Sequence, residues 1–203
     1  EITEILNRAA AGDEQALTDL LSQYRDRLKR MVKLRLNRRL AGRVDESDVL
    51  QDVMLHVSQH LDEYQQNRQT SFFLWLRRVT ELKLLAVHRR HLGTDKRDAA
   101  REISLHRGGY PTASSASLAA QLLGRLTTPS LAAVKAEMRI QLQEALNSMD
   151  PIDREVLTLR HFEQLSNEET AQVLEIQESA ASKRYVRALE RLQSIMAKLS
   201  DFS

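Results

Sequence analysis

The sequence contains no cysteine, which excludes disulfide bonds, zinc fingers and thiol catalysis and agrees with a reducing cytoplasm. Glycine and proline are scarce, at 6 and 3 of 203 residues, so few of the residues that favour turns are present. No run of about 18 apolar residues occurs, so we predict no membrane insertion. The first residues also lack the basic-then-apolar pattern of a signal peptide. We therefore expect a cytoplasmic protein.

The charges are nearly balanced overall but unevenly distributed. Lys and Arg number 30 and Asp and Glu 28, a net charge of +2. However, residues 77–107 contain nine bases and four acids, and residues 183–198 contain five bases and one acid. Local basic patches of this kind are typical of nucleic-acid binding, although solvated helix faces produce them too.

The apolar residues recur three and four positions apart, which predicts an all-α fold. Asp13 and Ser71 are expected to cap helices, and a further helix begins near Asp45. Residues 108–129 are rich in Gly, Ser, Thr, Ala and Pro, which predicts a flexible linker with a weak helix at 118–126. The prediction is therefore two small helical domains, residues 1–107 and 130–203, joined by the linker 108–129.

Motifs for catalysis are weak. Asp52, His56 and His60 lie at i, i+4 and i+8, a spacing that suits a metal ion, but no second cluster of ligands accompanies them. No glycine-rich phosphate loop and no supported Ser/His/Asp arrangement occurs. We predict that the chain is not an enzyme and that it has no catalytic residue, metal or cofactor. A metal-dependent hydrolase is the remaining enzyme alternative.

The C-terminal region has the pattern of a helix-turn-helix. Ser166 and Glu169 form a predicted capping box, and a long basic helix begins near Glu178. The turn between the two helices has Glu175 where glycine is usual, and a left-handed conformation there costs about 1 kcal/mol. Gln177 is a poorer helix cap than Ser or Thr. The first half of the basic helix carries residues suited to base edges and phosphates: Ser182, Lys183, Arg184 and Arg187.

Three segments resemble a known family. Residues 150–157 and 165–192 resemble region 4 of bacterial RNA polymerase sigma factors. Residues 48–55, followed by His60 and Leu61, resemble region 2.2, and residues 71–79 resemble the start of the promoter-melting segment. Two lobes with a short tether are similar to the extracytoplasmic-function (ECF) group of the sigma-70 family.

The resemblance implies two roles for the N-terminal lobe. Core polymerase is expected to bind Asp48, Gln51, Asp52 and Leu55 on the region 2.2 helix. The polar segment 62–71 corresponds to the loop that captures a flipped minus-10 base. The implied minus-10 contacts are Tyr64, Asn67, Arg68, Arg77, Arg78, Lys83, Arg89 and Arg90. Leu82 and Ala86 stand where many relatives have Asn and Asp, so no base contact is assigned to them.

The resemblance also implies minus-35 contacts from the C-terminal lobe, at Asn167, Glu168, Ser182, Lys183, Arg184 and Arg187. The implied function is to direct core polymerase to specific promoters and to assist promoter melting. The implied partners are promoter DNA, the β′ clamp helices and β flap of core polymerase, and an anti-sigma factor. Two alternatives stay open: a stand-alone helix-turn-helix repressor or activator, and a helical adaptor that binds proteins only.

Overall fold

The protein is described by a computed structural model that covers residues 2–40, 42–92, 112–126 and 132–200. All regular secondary structure within these ranges is helical, which confirms the predicted all-α fold. The chain divides into two compact units, Glu1–Pro111 (unit 1) and Thr112–Ser203 (unit 2). Each unit has its own buried apolar core.

The described residues of unit 1, 2–40 and 42–92, contain four α-helices: α1 (Ile2–Ala10), α2 (Glu14–Arg35), α3 (Glu46–Gln66) and α4 (Phe72–Leu92). The predicted caps are present, because the Asp13 carboxylate accepts a hydrogen bond from the Ala16 N–H at 3.0 Å. The Ser71 hydroxyl likewise accepts from the Leu74 N–H at 3.3 Å. Helix α3 runs to Gln66, so residues 62–66 of the predicted polar loop are helical.

The core of unit 1 lies where α2, α3 and α4 pack against one another. Helix α3 buries Val49, Val53, Val57 and Leu61, which recur every four residues and form one stripe, as the spacing predicted. Helix α4 buries residues on most of its circumference, including Leu76 and Leu84. Beside this core is a cluster of aromatic rings: Tyr24, Tyr64, Phe72, Phe73 and Trp75.

Unit 2 contains α5 (Ser115–Leu126), α6 (Ala132–Asn147), α7 (Pro151–Leu157), α8 (Asn167–Leu174) and α9 (Glu178–Ser200). Helix α7 begins as predicted, since the Asp150 carboxylate accepts from the Ile152 N–H at 2.9 Å and Pro151 is the first helical residue. It continues into a π-helical turn, Thr158–Phe162. Both α7 and α8 pack against α9.

The helix predicted at 118–126 within the linker is present, but it is longer than predicted and packs into unit 2. Residues 115–126 form α5, which packs against α6, and its Leu118 and Ala119 are fully buried. The Ser- and Ala-rich composition suggested a flexible segment, but the apolar residues share one helix face that α6 covers. Residues 108–111 and 127–129 of the predicted linker lie outside the described residues.

Candidate nucleic-acid interface

The helix-turn-helix of unit 2 begins with the predicted capping box. The Ser166 hydroxyl accepts a hydrogen bond from the Glu169 N–H at 3.0 Å, and the Glu169 carboxylate accepts from the Ser166 N–H at 2.7 Å. These two bonds satisfy N–H groups that a helix start leaves without helical partners. The start of α8 is therefore fixed by local chemistry.

The turn between α8 and α9 adopts the left-handed conformation considered from the sequence. Glu175 has φ 53° and ψ 41°. The Ile176 N–H donates to the Ala171 carbonyl at 3.0 Å, and the Glu175 N–H donates to the Gln172 carbonyl at 3.3 Å. This is a Schellman motif in which glutamate occupies the position that glycine usually takes.

A side-chain contact joins the two helices of this motif. The Asn167 side-chain amide donates to the carbonyl of Glu178, the first residue of α9, at 3.0 Å. The Asn167 side chain thus holds the start of the basic helix, and the predicted phosphate contact through the backbone N–H groups of Asn167 and Glu168 stays a prediction. Glu168 is exposed and accepts from the Gln172 amide at 3.3 Å.

Helix α9 has one buried and one exposed face. Its buried face packs into unit 2 through Ala181, Ala188, Leu192 and Ile195. Ser182, Lys183 and Arg187 are exposed, and Arg184 is half-buried. A helix with these exposed polar and cationic side chains in its first half is suited to the major groove of DNA.

Two arginines of α9 contact a carboxylate of α7. The Asp153 side chain is 8% exposed, and its Oδ1 accepts from Arg184 Nη1 at 2.7 Å. The Nε of Arg187 lies 3.2 Å from Asp153 Oδ2. Asp150 Oδ1 is 3.8 Å from Arg184 Nη1. Asp153 was not predicted from the sequence, because its partners lie 31 and 34 positions further along the chain.

Val186 is a second residue of this surface that was not predicted from the sequence. Its side chain is 52% exposed, and it lies one helical turn from both Ser182 and Lys183 on α9. An apolar side chain on a major-groove face contacts the methyl group of thymine. The sequence does contain a sign of this contact, because Val186 is an apolar residue on a helix face that is otherwise polar and charged.

In unit 1, the residues predicted to bind core polymerase lie on α3. Asp48, Gln51, Asp52 and Leu55 are all exposed, and their spacing places them on one face, opposite the buried valine stripe. Asp48 also has a local role, since its carboxylate accepts from the Asp45 N–H at 3.4 Å in a capping box. The arrangement offers carboxylates, an amide and an apolar side chain to a partner.

The two histidines of α3 stack on each other. The rings of His56 and His60 are 4.0 Å apart between centroids and 18° apart in orientation, and His60 Nδ1 is 2.9 Å from the His56 carbonyl oxygen. Burial, His60 and Lys83 lower the pKa of His56. Within the described ranges, no three side chains of the His, Cys, Asp and Glu types form a group that holds a metal ion.

Tyr64 supports the loop after α3 and is 7% exposed. Its hydroxyl donates to the Thr70 carbonyl at 3.0 Å, and its ring stacks on Trp75 with 4.8 Å between centroids. Burial raises its pKa. This corrects the prediction that Tyr64 contacts a minus-10 base, because α3 continues through this residue and turns the ring into the core.

Asn67 and Arg68 remain exposed in the loop. One guanidinium nitrogen of Arg68 donates to the side-chain oxygen of Asn7 at 3.4 Å, and the Gln65 amide donates to the Leu6 carbonyl at 2.7 Å. Helix α1 therefore supports the end of α3 and the loop, a role that was not predicted from the sequence.

Arg77 is the second correction. It is 2% exposed and forms an ion pair with Glu81, one turn further along α4. The prediction that Arg77 contacts DNA does not fit this position, because α4 buries this side chain inside unit 1. The adjacent Arg78 is exposed.

The exposed side of α4 carries most of the other predicted minus-10 residues. Arg89 and Arg90 are exposed and Lys83 is half-buried. Leu82 and Ala86 are also exposed, and they lie one and two turns after Arg78. The exposed residues of this helix therefore combine cations with two apolar side chains.

The C-terminal part of α4 is connected to the end of α2 through a histidine. The Asn37 N–H lies 3.1 Å from His88 Nε2, which accepts its hydrogen bond. Burial lowers the pKa of His88. The imidazole is thus held in its neutral form, with Nε2 as an acceptor.

None of the described helices combines the length and apolar composition needed to cross a membrane.

Part of unit 2 matches a family model. Residues 139–192 match the family described as sigma-70, region 4. The match includes α7, α8 and much of α9, and it confirms the resemblance that the sequence of the C-terminal lobe predicted. No curated protein sequence matches the chain.

Solved structures with a similar fold include CnrH in complex with the cytosolic domain of CnrY. The CnrH chain is 19% identical, with a TM-score of 0.56, and the likeness covers 96% of each chain. The sigma factor RpoE in complex with the anti-sigma factor NepR from Bartonella quintana is 17% identical, with a TM-score of 0.46, and covers 91% of this chain and 96% of that chain. At 19% identity, the likeness to CnrH establishes the fold.

Proposed function

We propose that this chain is an ECF-type sigma factor of the sigma-70 family, which directs core RNA polymerase to specific promoters and assists promoter melting. The observation that carries the proposal is the helix-turn-helix of unit 2, whose residues match the sigma-70 region 4 model. Polar and cationic side chains in the first half of its basic helix α9 are exposed, as contact with the bases of a major groove requires. The two-domain fold, similar to that of CnrH, supports the same function.

Unit 2 is proposed to read the minus-35 element. Lys183 and Arg187 are exposed cations on α9, suited to phosphate and to guanine respectively. Ser182 and Val186 add a hydroxyl and an apolar contact on the same face. Arg184 is half-buried, and the carboxylates of Asp153 and Asp150 offset its charge.

Unit 1 is proposed to bind core polymerase through the exposed face of α3. Carboxylates such as Asp52 pair with arginines on a partner through two parallel hydrogen bonds, and Leu55 supplies an apolar anchor among them. The β′ clamp helices are the proposed partner of this face, and the β flap is the proposed partner of unit 2.

Unit 1 is also proposed to hold the opened minus-10 strand. Asn67 and Arg68 extend from the loop after α3, and Arg78, Lys83, Arg89 and Arg90 supply positive charge along α4. Bases become available to these residues only when the duplex opens. Binding them shifts the equilibrium from closed to open DNA without any chemical energy source.

The proposed role needs no catalytic residue in this chain, because bond formation belongs to the polymerase. It also places the protein in the cytoplasm with the transcription machinery. CnrH was solved with the cytosolic domain of another protein, CnrY. By analogy, we propose that a protein partner also binds this chain, and the resemblance to ECF sigma factors makes an anti-sigma factor the proposed partner.

The test is run-off transcription with purified bacterial core polymerase, the full chain and a pooled promoter library. We expect transcripts only when the chain is present, with both promoter elements enriched in the recovered sequences. Lys183→Ala and Arg187→Ala should both weaken binding to the minus-35 element and leave core binding intact. Lys198→Ala, near the far end of α9, is the matched control and should change neither.

A complementary variant tests unit 1. The double substitution Gln51→Ala and Asp52→Ala should reduce affinity for core polymerase, whereas Asp19→Ala on α2 should not. If the chain neither binds core nor supports transcription, yet shifts duplex DNA alone, it is a stand-alone repressor or activator. If it binds only proteins, with no steep salt dependence, it is an adaptor.

A further inference from the structure

We propose that Asp153 is a positioning residue that orients Arg187 to read a guanine in the promoter duplex. This inference rests on the proposed function of unit 2. Asp153 lies on α7, outside the helix that would enter the groove, and its side chain is 8% exposed. Its two carboxylate oxygens approach two different arginines of α9, at 2.7 Å for Arg184 and 3.2 Å for Arg187.

The contact to Arg187 involves only one part of the guanidinium group. Asp153 Oδ2 faces Nε, and among the described residues none forms a hydrogen bond with the two Nη atoms of Arg187. The Arg187 side chain is 61% exposed. The Nη atoms therefore remain available as a pair of donors, and guanine offers the matching pair of acceptors, O6 and N7.

The carboxylate itself is held in place. Asp153 is buried at the packed contact of α7 with α9, and its Oδ1 is bound by Arg184. A free arginine side chain loses rotamer freedom when it binds a base. Because Asp153 already restricts Arg187, part of this rotamer freedom is lost when the protein folds and not when it binds DNA. The Arg187 side chain is therefore preorganised for the base.

Charge balance separates the role of Arg187 from that of Lys183. Arg187 and Arg184 share Asp153, and Asp150 lies near Arg184 at 3.8 Å, so carboxylates offset the two arginine charges. Lys183 is exposed on the same helix. We therefore expect Lys183 to contribute mainly salt-dependent affinity and Arg187 mainly base selectivity.

The experiment selects minus-35 sequences from a pooled duplex library with core polymerase and the full chain. Four proteins are compared: wild type, Arg187→Ala, Asp153→Asn and the double variant. Arg187→Ala should lose the preference for guanine at one position of the minus-35 element, which identifies the base that Arg187 contacts. Asp153→Asn should lower the preference for guanine at that same position by roughly tenfold, and the double variant should lose no more than Arg187→Ala. Lys183→Ala is the matched control and should weaken binding to all sequences about equally.

A merely structural role predicts a different pattern. Asp153→Asn would then lower the thermal stability of unit 2 but retain the guanine preference of the folded fraction, which overturns the proposal. Additive losses in the double variant, or no guanine position for Arg187→Ala, also overturn it. Asp153→Glu keeps the carboxylate and should recover part of the preference.

If Asp153→Asn does not fold, Arg187→Lys provides the test. Lysine keeps the charge but has neither the Nε contact nor the paired donors, so guanine preference should be lost while the salt dependence remains. Retained guanine preference in Arg187→Lys overturns the proposal. Failure of the wild-type chain to bind core or transcribe would refute the proposed function itself, which separates the two hypotheses.

Discussion

Each unit buries a carboxylate beside an arginine, but the two pairs are built differently. In unit 1, Arg77 and Glu81 lie one turn apart on the same helix, and both are buried. In unit 2, the buried Asp153 lies on α7, whereas Arg187 comes from α9 and is largely exposed. One ion pair is enclosed in a core, and the other connects a core to a surface.

This difference separates stability from recognition. An enclosed ion pair has no contact with a ligand, so its removal is expected to affect folding alone. Taking away one partner leaves a buried charge without compensation, which costs about 3–5 kcal/mol. Where one partner is an exposed guanidinium, as in the pair of Asp153 and Arg187, a substitution can change base selectivity with a smaller effect on folding.

The largest expected effect is therefore in unit 1. Arg77→Ala should lower the free energy of unfolding of this unit by about 3–5 kcal/mol, because Glu81 stays buried without its partner. Trp75 is the only tryptophan in the sequence and stacks on Tyr64. Its fluorescence during urea unfolding therefore reports on unit 1 alone.

Arg78→Ala is the matched control for this substitution. Arg78 is adjacent and exposed, so its removal should change stability by no more than about 0.5 kcal/mol. It should instead weaken binding to single-stranded minus-10 DNA. The slope of log affinity against log salt concentration should also decrease by about the amount that one phosphate contact contributes. The reverse result, with Arg77 governing DNA affinity and Arg78 governing stability, would contradict the assignment of the two side chains.

The second effect is the response of unit 1 to acid. The folded-state pKa of His88 lies below its ordinary value of 6.5 because the ring is buried. The unfolded chain therefore takes up a proton first as the pH falls. The stability that His88 contributes is complete above about pH 6.5 and is lost as the pH decreases below that value. One proton limits the slope to about 1.4 kcal/mol per pH unit.

His88→Gln tests this acid response, since a glutamine oxygen accepts the Asn37 N–H but does not titrate. Urea unfolding of unit 1, followed by Trp75 fluorescence between pH 7.5 and 5.5, should show a smaller slope in the variant. An unchanged slope would mean that another group of unit 1 is responsible.

The features that were predictable from the sequence are those set by neighbouring residues. The capping box of Ser166 and Glu169 and the Asp13 cap depend on residues three apart, and both are present. The left-handed turn at Glu175 follows from its place between two helices. The valine stripe of α3 follows from its four-residue spacing.

The features that were missed depend on packing between helices. Arg77 and Arg78 are adjacent bases, and only the packing around α4 determines which of them is buried. Tyr64 was assigned to a loop because its neighbours are polar, yet stacking on Trp75 places it in the core. Asp153 and Arg187 are 34 positions apart, so no local pattern relates them.

A smaller effect is expected at the turn of unit 2. Glu175→Gly should raise the free energy of unfolding of unit 2 by about 1 kcal/mol, because glycine adopts φ 53° without the steric cost that glutamate pays. Hydrogen exchange of the amides in α8 and α9 measures this change. Glu190→Gly, on the exposed side of α9, is the control of opposite sign and should destabilise the helix by about 0.5–1 kcal/mol. Equal effects of the two substitutions would contradict the role of the turn.

The smallest effect separates the apolar side chains on the proposed DNA faces of the two units. Val186 on α9 and Leu82 on α4 are similarly exposed, at 52% and 47%, but only Val186 is expected to contact duplex DNA. Replacing a minus-35 thymine by deoxyuridine removes one methyl group, and burial of such a group contributes about 0.8 kcal/mol, or roughly a fourfold change in affinity. Wild type should discriminate thymine from uracil at one position, Val186→Ala should lose that discrimination, and Leu82→Ala should retain it. Only the variant that lacks the contacting side chain should lose the discrimination between thymine and uracil. If all three proteins discriminate equally, a residue other than Val186 contacts the methyl group.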